Sequence, residues 1–151
     1  MASEYRSARF WHNPMLQNFV AYALKDAQFR ENDEARHEER DERDTGTVWT
    51  VALETFGKLA ELCDKFRDEC AEHIAAAIEL EPGADGFEYA RPHAAMTHER
   101  LGGKLWLAIT GTGVTFTDDG NAPCLEAMTE WSRANSKESL YFGDDGEMYL
   151  C

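Results

Sequence analysis

Cysteine and histidine are the residue types that offer nucleophiles and soft metal ligands, and this 151-residue chain has four cysteines and five histidines. Neither C-x-x-C nor H-E-x-x-H occurs, the spacings that bring two ligands onto one zinc ion. Cys124 lies near the start of a predicted helix, where the pKa of a thiol can fall, and His93 or His98 is the candidate base. No family-type motif surrounds Cys124. We therefore expect no enzymatic activity, no metal and no cofactor, with a small Cys/His hydrolase or transferase as an alternative.

Asp-Asp-Gly occurs twice, at Asp118–Gly120 and at Asp144–Gly146. Four carboxylates brought together would suit a divalent cation. Tight turns demand the same residues, because Asp bonds to nearby backbone groups and Gly adopts positive φ without steric cost. We interpret both sequences as turns.

Negative charge is the strongest feature of the composition. The chain has 29 Asp plus Glu against 15 Lys plus Arg, a formal net charge of −14. Such a surface repels nucleic acids, anionic membranes and anionic metabolites, and it attracts a basic protein groove that normally binds phosphates. Acidity also keeps small proteins soluble, so composition alone leaves both interpretations open.

The acidic residues concentrate in two segments. Residues 30–44 are almost wholly charged, which predicts a solvated helical extension or a mobile linker. The second set lies on the polar face of a predicted long helix that follows. We expect the contacts to a basic partner to come from Glu38, Glu39, Asp41, Glu42, Glu61, Asp64, Asp68 and Glu69.

Two long helices are predicted in the N-terminal half. The first runs from about Pro14 to Phe29, and the second runs from about Val48 to Leu80, which would make it roughly 50 Å long. So long a helix must pack on the first helix, on a second copy of the chain, or on both. Its apolar stripe, through which a homodimer would form, consists of Val48, Ala52, Phe56, Leu59, Cys63, Phe66, Cys70, Ile74 and Ala77.

The C-terminal half predicts strands around one helix. Leu105, Leu107 and Ile109 alternate with Trp106 and Ala108, which predicts a strand, and 114–117 read as a return strand after a Gly-Thr-Gly turn. A helix follows from about Pro123 to Ala134, and 139–142 with 147–150 predict a second hairpin. The expected fold is a single α+β domain over 1–151. Its helical part, 1–80, packs on a small antiparallel sheet, and its part 81–151 has the order ββαββ.

Over its last third the chain resembles a group of small uncharacterised proteins of bacteriophages and related mobile elements. The resemblance rests on the Trp-Leu strand and Gly turn within Lys104–Phe116, a helix, and the Gly-Asp-Asp-Gly hairpin within Leu140–Tyr149. It carries over no activity. It implies a phage or prophage accessory gene, and small acidic proteins from such genes often block host defences that target nucleic acids.

Charge and resemblance together lead to one expectation of function. We expect a phage-type acidic inhibitor that binds a basic surface of a host restriction or CRISPR complex, as a possible DNA mimic, without contacting nucleic acid or membrane itself. No signal peptide or apolar run of about 20 residues is evident, so the expected location is the cytoplasm of the bacterial host cell. The first alternative is a structural or regulatory helical homodimer formed through the helix from Val48 to Ala77.

Overall fold

The computed structural model describes residues 13–37, 50–51, 53–88, 95–137, 140–142 and 147–150, with the backbone alone for 27–37, 53–54 and the strands. Three short strands, β1 (Thr50–Val51), β2 (Leu140–Phe142) and β3 (Glu147–Leu150), pair in the order β1-β3-β2, with β1 parallel and β2 antiparallel to β3. A 3-10 turn, Phe116–Asp119, precedes the last helix. The elements are α1 (Pro14–His37), β1 (Thr50–Val51), α2 (Leu53–Glu69), α3 (Ala71–Ile78), α4 (His98–Ile109), α5 (Pro123–Ala134), β2 (Leu140–Phe142) and β3 (Glu147–Leu150).

Helices make up the body of the described chain, so the expected α+β class is wrong and the architecture is all-α. The helices have 24, 17, 8, 12 and 12 residues, whereas the strands have two, three and four. Every described core residue lies on a helix, a helix cap or a loop between helices. The ββαββ order is also wrong, because residues 105–117 form the end of α4, a turn and the 3-10 segment.

Two glycines explain why α4 forms where a strand was predicted. A Cβ on Gly102 would overlap the carbonyl oxygen of Met15, and one on Gly103 would lie 2.8 Å from the ring of Tyr22. The missing side chains let α4 approach the backbone of α1 closely. Asn18 Nδ2 also donates a hydrogen bond to the carbonyl oxygen of Glu99 at 2.6 Å. The glycine pair is therefore a packing seam inside a helix and not a boundary before a strand.

Trp106 anchors this seam from the α4 side. Its indole is fully buried and meets Phe19 edge-on, with ring centroids 5.6 Å apart. The indole N–H donates to Asp26 Oδ2 at 3.4 Å, which gives the buried ring's polar atom a partner. Leu105 and Ile109, two members of the predicted alternating strand, are four residues apart and are both buried on the same face of α4.

The predicted helix from Val48 to Leu80 is instead strand β1 followed by two helices that meet at Cys70. The amide of Cys70 donates to the carbonyl of Phe66 at 2.9 Å, and that of Ile74 donates to the carbonyl of Cys70 at 2.8 Å, so helical bonding spans the junction. The described members of the stripe are at most 4% exposed within this single chain: Phe56, Leu59, Cys63, Phe66, Cys70, Ile74 and Ala77. Val48 and Ala52 lie outside the described residues.

An aromatic cluster joins α2 to the C-terminal part. The ring of Phe66 stacks on Phe116 with centroids 5.7 Å apart and meets Trp131 edge-on at 5.2 Å. The helix predicted from Pro123 is present as α5, and the predicted terminal pairing is present as the antiparallel strands β2 and β3. The packing leaves the outer faces of α2 and α3 to solvent.

Candidate functional site

The outer face of α2 and α3 carries a row of carboxylates that we call the acidic ridge. Of its members, Asp64 is partly buried and the others are exposed. At 3.6 residues per turn these positions fall on the side of the helix opposite the buried stripe. The acidic ridge consists of Glu61, Asp64, Asp68, Glu69 and Glu72.

The basic side chains on α2 near the ridge offset part of its charge. Arg67 contacts Asp64 Oδ1 at 3.3 Å and Asp68 Oδ1 at 3.6 Å, although the Asp68 side chain stays 73% exposed. Lys65 points elsewhere, since its Nζ donates to Asn135 Oδ1 at 2.8 Å. Within the described part of the chain, the remaining three carboxylates of the ridge have no ion pair. The ridge keeps a negative surface, with a single arginine set into it.

The structure describes four of the eight acidic contact residues predicted from sequence. It places Glu61, Asp64, Asp68 and Glu69 together on the ridge, and it adds Glu72 on the same face. The other four, Glu38, Glu39, Asp41 and Glu42, lie outside the described residues. Helix α1 continues to His37, so the charged segment is helical over 30–37, as a helical extension requires.

The three thiols that the structure describes show no sign of activation. Cys63, Cys70 and Cys124 are free and buried. Burial raises the pKa of the Cys124 thiol, which is the opposite of the shift that a nucleophile at a helix start requires. His98 is the first residue of α4 and is exposed, whereas His93 lies outside the described residues. In the part of the chain that the structure covers, no three Cys, His, Asp or Glu residues are grouped as metal ligands.

The first Asp-Asp-Gly sequence forms a turn, as predicted. Asp118 Oδ2 accepts a hydrogen bond from the amide of Thr115 at 3.1 Å, which closes the start of the 3-10 turn. Asp119 Oδ2 contacts Arg100 at 3.3 Å and Lys104 at 3.2 Å, which ties the turn to α4. Both carboxylates thus have structural partners. The second sequence, Asp144–Gly146, lies outside the described residues.

An open groove of about 380 Å³ lies beside the ridge, between α3 and the start of α4. Its floor is apolar and its rim carries charges of both signs. The spacing of its α3 members, i, i+3, i+4 and i+7, is the sequence signal that could have indicated an apolar face there. The groove is lined by Arg67, Ala71, Ile74, Ala75, Ile78, Glu79 and His98.

Comparison with known proteins adds no relative: no protein-family model, curated protein or solved structure matches this chain. None of the helices in the described residues has both the length and the apolar character needed to cross a bilayer. Conclusions about function therefore depend on the surface described above.

Proposed function

We propose that this chain is a non-enzymatic, phage-type acidic inhibitor that binds the basic nucleic-acid-binding surface of a host defence protein in the bacterial cytoplasm. The observation that carries the proposal is the acidic ridge, which presents five carboxylates on one helical face of a chain with a net charge of −14. Opposite charge steers association and favours partners that normally hold phosphates. The sequence resemblance to phage proteins, although its Trp-Leu segment is part of helix α4 and not a strand, directs the proposal towards restriction and CRISPR complexes.

The spacing of the carboxylates along the ridge determines how closely the ridge matches the charge density of DNA. Glu61, Asp64, Asp68 and Glu72 follow one another at three or four residues, or about 4.5–6 Å along a helix axis. A duplex carries one charge per about 1.7 Å of axis and a single strand one per about 3.4 Å. The ridge therefore carries fewer negative charges per unit length than a single DNA strand. It suits a partner that reads a line of negative charge and does not need both strands.

Neither alternative function has a comparable observation in its favour. The stripe that a helical homodimer would use is buried inside the single chain, where it packs against Phe116 and Trp131 through Phe66. The Cys/His enzyme would need an accessible, acidified thiol, and Cys124 is only 7% exposed with its pKa raised. We therefore retain the acidic inhibitor as the single proposed function.

Charge reversal on the ridge tests this proposal. The test variant changes Glu61, Asp64, Asp68 and Glu69 to Lys, and the control variant changes four exposed acidic residues outside the ridge to Lys. Both bring the net charge from −14 to about −6, so the total charge is matched, and the test variant also loses the contacts of Asp64 and Asp68 with Arg67. Wild type, test and control variants, each tagged, are incubated with nuclease-treated bacterial lysate at about 50 mM salt and eluted at about 200 mM. The control acids are Glu81, Asp85, Glu88 and Glu130.

We expect wild type and the control variant to capture the same nucleic-acid-binding protein, and the ridge variant to lose it. With that protein purified, duplex DNA should displace the wild-type chain, and association with the ridge variant should be slower by about tenfold or more. Equal capture by the ridge variant, or binding that DNA does not compete with, would refute the proposed function. Circular dichroism of all three proteins checks that they are folded.

A further inference from the structure

The groove lies directly beside the acidic ridge on the same helical surface. At 3.6 residues per turn, Arg67 and Ala71 fall between the ridge and the buried stripe, and Ala75 falls on the line of Asp64 and Asp68. The helical hydrogen bonds across the α2–α3 junction keep this order along the surface. A partner seated on the ridge therefore covers the groove as well.

The groove has the shape and chemistry of an anchor site. Its floor is formed by Ile74 and Ile78 with two exposed alanines, whose small side chains leave about 380 Å³ open. That volume is in the range of pockets that hold apolar groups. Charged contacts at a rim contribute mainly to association rate, whereas a buried aromatic or aliphatic anchor contributes most of the binding energy of an interface. The ridge alone lacks such an anchor.

Charge at the two ends of the groove defines what can sit beside the anchor. Arg67 lines one end, where its contacts with Asp64 and Asp68 leave the three side chains with a net negative charge, and Glu79, the exposed C-cap of α3, lines the other. Arg67 and Glu79 are twelve positions apart, or about 18 Å along a helix. The carbonyl end of α3 adds partial negative charge near Glu79. An apolar side chain flanked on both sides by Lys or Arg matches this arrangement.

We propose that the groove between α3 and α4 receives an aromatic or large aliphatic side chain that the basic partner presents between cationic residues. This inference rests on the proposed function, because the ridge brings the partner to the groove. It names the partner's chemistry more closely: a basic surface with a protruding apolar residue, and not a uniformly polar phosphate-binding groove.

The test uses two synthetic lysine-rich peptides as probes, identical except for a central Trp or a central Ala. Their affinities are measured by fluorescence anisotropy of a terminal dye, at low and raised salt. On the wild-type chain the Trp peptide should bind about tenfold more tightly than the Ala peptide. Raised salt should weaken both peptides and leave the ratio of their affinities unchanged.

Filling the groove should remove the tighter binding of the Trp peptide and leave the affinity of the Ala peptide unchanged. Ala75 is exposed and lines the groove, so Ala75→Trp occupies it without disturbing a buried residue. In this variant the two peptides should bind within about twofold of each other, with the Ala peptide unchanged from wild type. Ala71→Trp repeats the test from the other end. Ala21→Trp, on an exposed position of α1 outside the groove, should retain the tenfold ratio.

The outcomes distinguish a failure of the groove proposal from a failure of the proposed function of the ridge. A wild-type ratio near one, or a tenfold ratio that survives both groove variants, overturns the groove while leaving the ridge in place. Failure of both peptides to bind, or binding that the four-Lys ridge variant keeps, overturns the proposed function and the groove with it. Sedimentation at two concentrations provides a further check. A wild-type dimer that Ala75→Trp makes monomeric would mean that a second copy fills the groove, which overturns the proposal of a basic partner there.

Discussion

Substitution of Gly102 by Ala tests the close approach of α1 and α4. In a free helix this change is favourable by about 0.5–1 kcal/mol, because Gly loses more conformational freedom on folding. In this protein the new Cβ would overlap the carbonyl oxygen of Met15 and lie 2.9 Å and 3.1 Å from that residue's carbonyl carbon and Cα. All three atoms belong to backbone, so no change of rotamer relieves the contact.

The helices must move apart by about 1 Å to restore carbon–carbon contacts of about 3.5 Å or more. Such a gap removes a quarter to a half of the dispersion energy of the contacts it opens, and Leu101, Leu105 and Trp106 are fully buried at this seam. Overpacking costs about 1–3 kcal/mol and occasionally more, and backbone overlap belongs at the upper end. After the gain from helix propensity, we expect Gly102→Ala to destabilise the fold by about 2 kcal/mol.

Substitutions of two other helical glycines provide comparisons for the stability change caused by Gly102→Ala. Gly57 lies in α2, and a methyl group added there would have nothing within 4 Å, so Gly57→Ala should stabilise the fold by about 0.5–1 kcal/mol. Gly103→Ala should fall between the two, because its Cβ would meet side chains and not backbone: the Tyr22 ring, which is 37% exposed, and the Asn18 amide. The three variants therefore share one chemical change and differ only in the surroundings of the new methyl group.

Urea denaturation followed by circular dichroism measures all three variants. With an m-value of about 2 kcal/mol/M, Gly102→Ala should lower the midpoint by about 1 M, and its thermal midpoint should fall by about 4–8 °C. An unchanged m-value would show that stability itself has changed. If Gly102→Ala were as stable as wild type, or more stable as expected for Gly57→Ala, the close packing of α1 on α4 would be wrong.

Three further predictions concern the ion cluster and the thiols. Asp119→Asn removes the carboxylate that contacts Arg100 and Lys104 at a site where Asp119 is only 15% exposed, so the free energy of unfolding should fall by about 1–3 kcal/mol. Asp68→Asn, at an exposed site, should change it by less than about 1 kcal/mol, and equal urea midpoints for the two variants would contradict this. Burial raises the pKa of Cys63 to about 12, so the folded state holds this proton more tightly and stability should decline as pH rises from about 9 towards 12. In a Cys151→Ser background, Cys124 should resist a thiol reagent near neutral pH until urea unfolds the chain, and rapid labelling would instead favour the Cys/His enzyme.

Helical periodicity was predictable from sequence wherever one face of a long segment is apolar. The buried stripe from Phe56 to Ala77 and the helix beginning at Pro123 follow from spacing alone, because every third or fourth residue must face the core. The acidic ridge follows from the same rule, since it is the face that the stripe leaves to solvent. The break of the long helix at Cys70 was not predictable, because the residues on both sides continue the helical pattern.

Segment 105–117 shows where the same local reasoning fails. Leu105, Leu107 and Ile109 alternate as a strand would, yet Leu105 and Ile109 are also spaced as one face of a helix. The glycines before them suggested a break, because each costs a free helix about 1 kcal/mol. Contact with α1 outweighs that local cost, and no property of residues 98–117 alone reveals the contact.

The charge of this protein, its apolar stripe and the acidic face opposite that stripe all follow from the sequence, because composition and helical spacing are local properties. That the Gly102–Gly103 segment is a helix, and that a groove lies beside the ridge, follows only from the packing of the folded chain. Both depend on elements distant along the chain: α4 meets α1 through Met15, and His98 closes a groove whose floor comes from α3. Their positions follow from packing of the whole core, where the burial of Trp106 and its neighbours outweighs the preferences of any single segment.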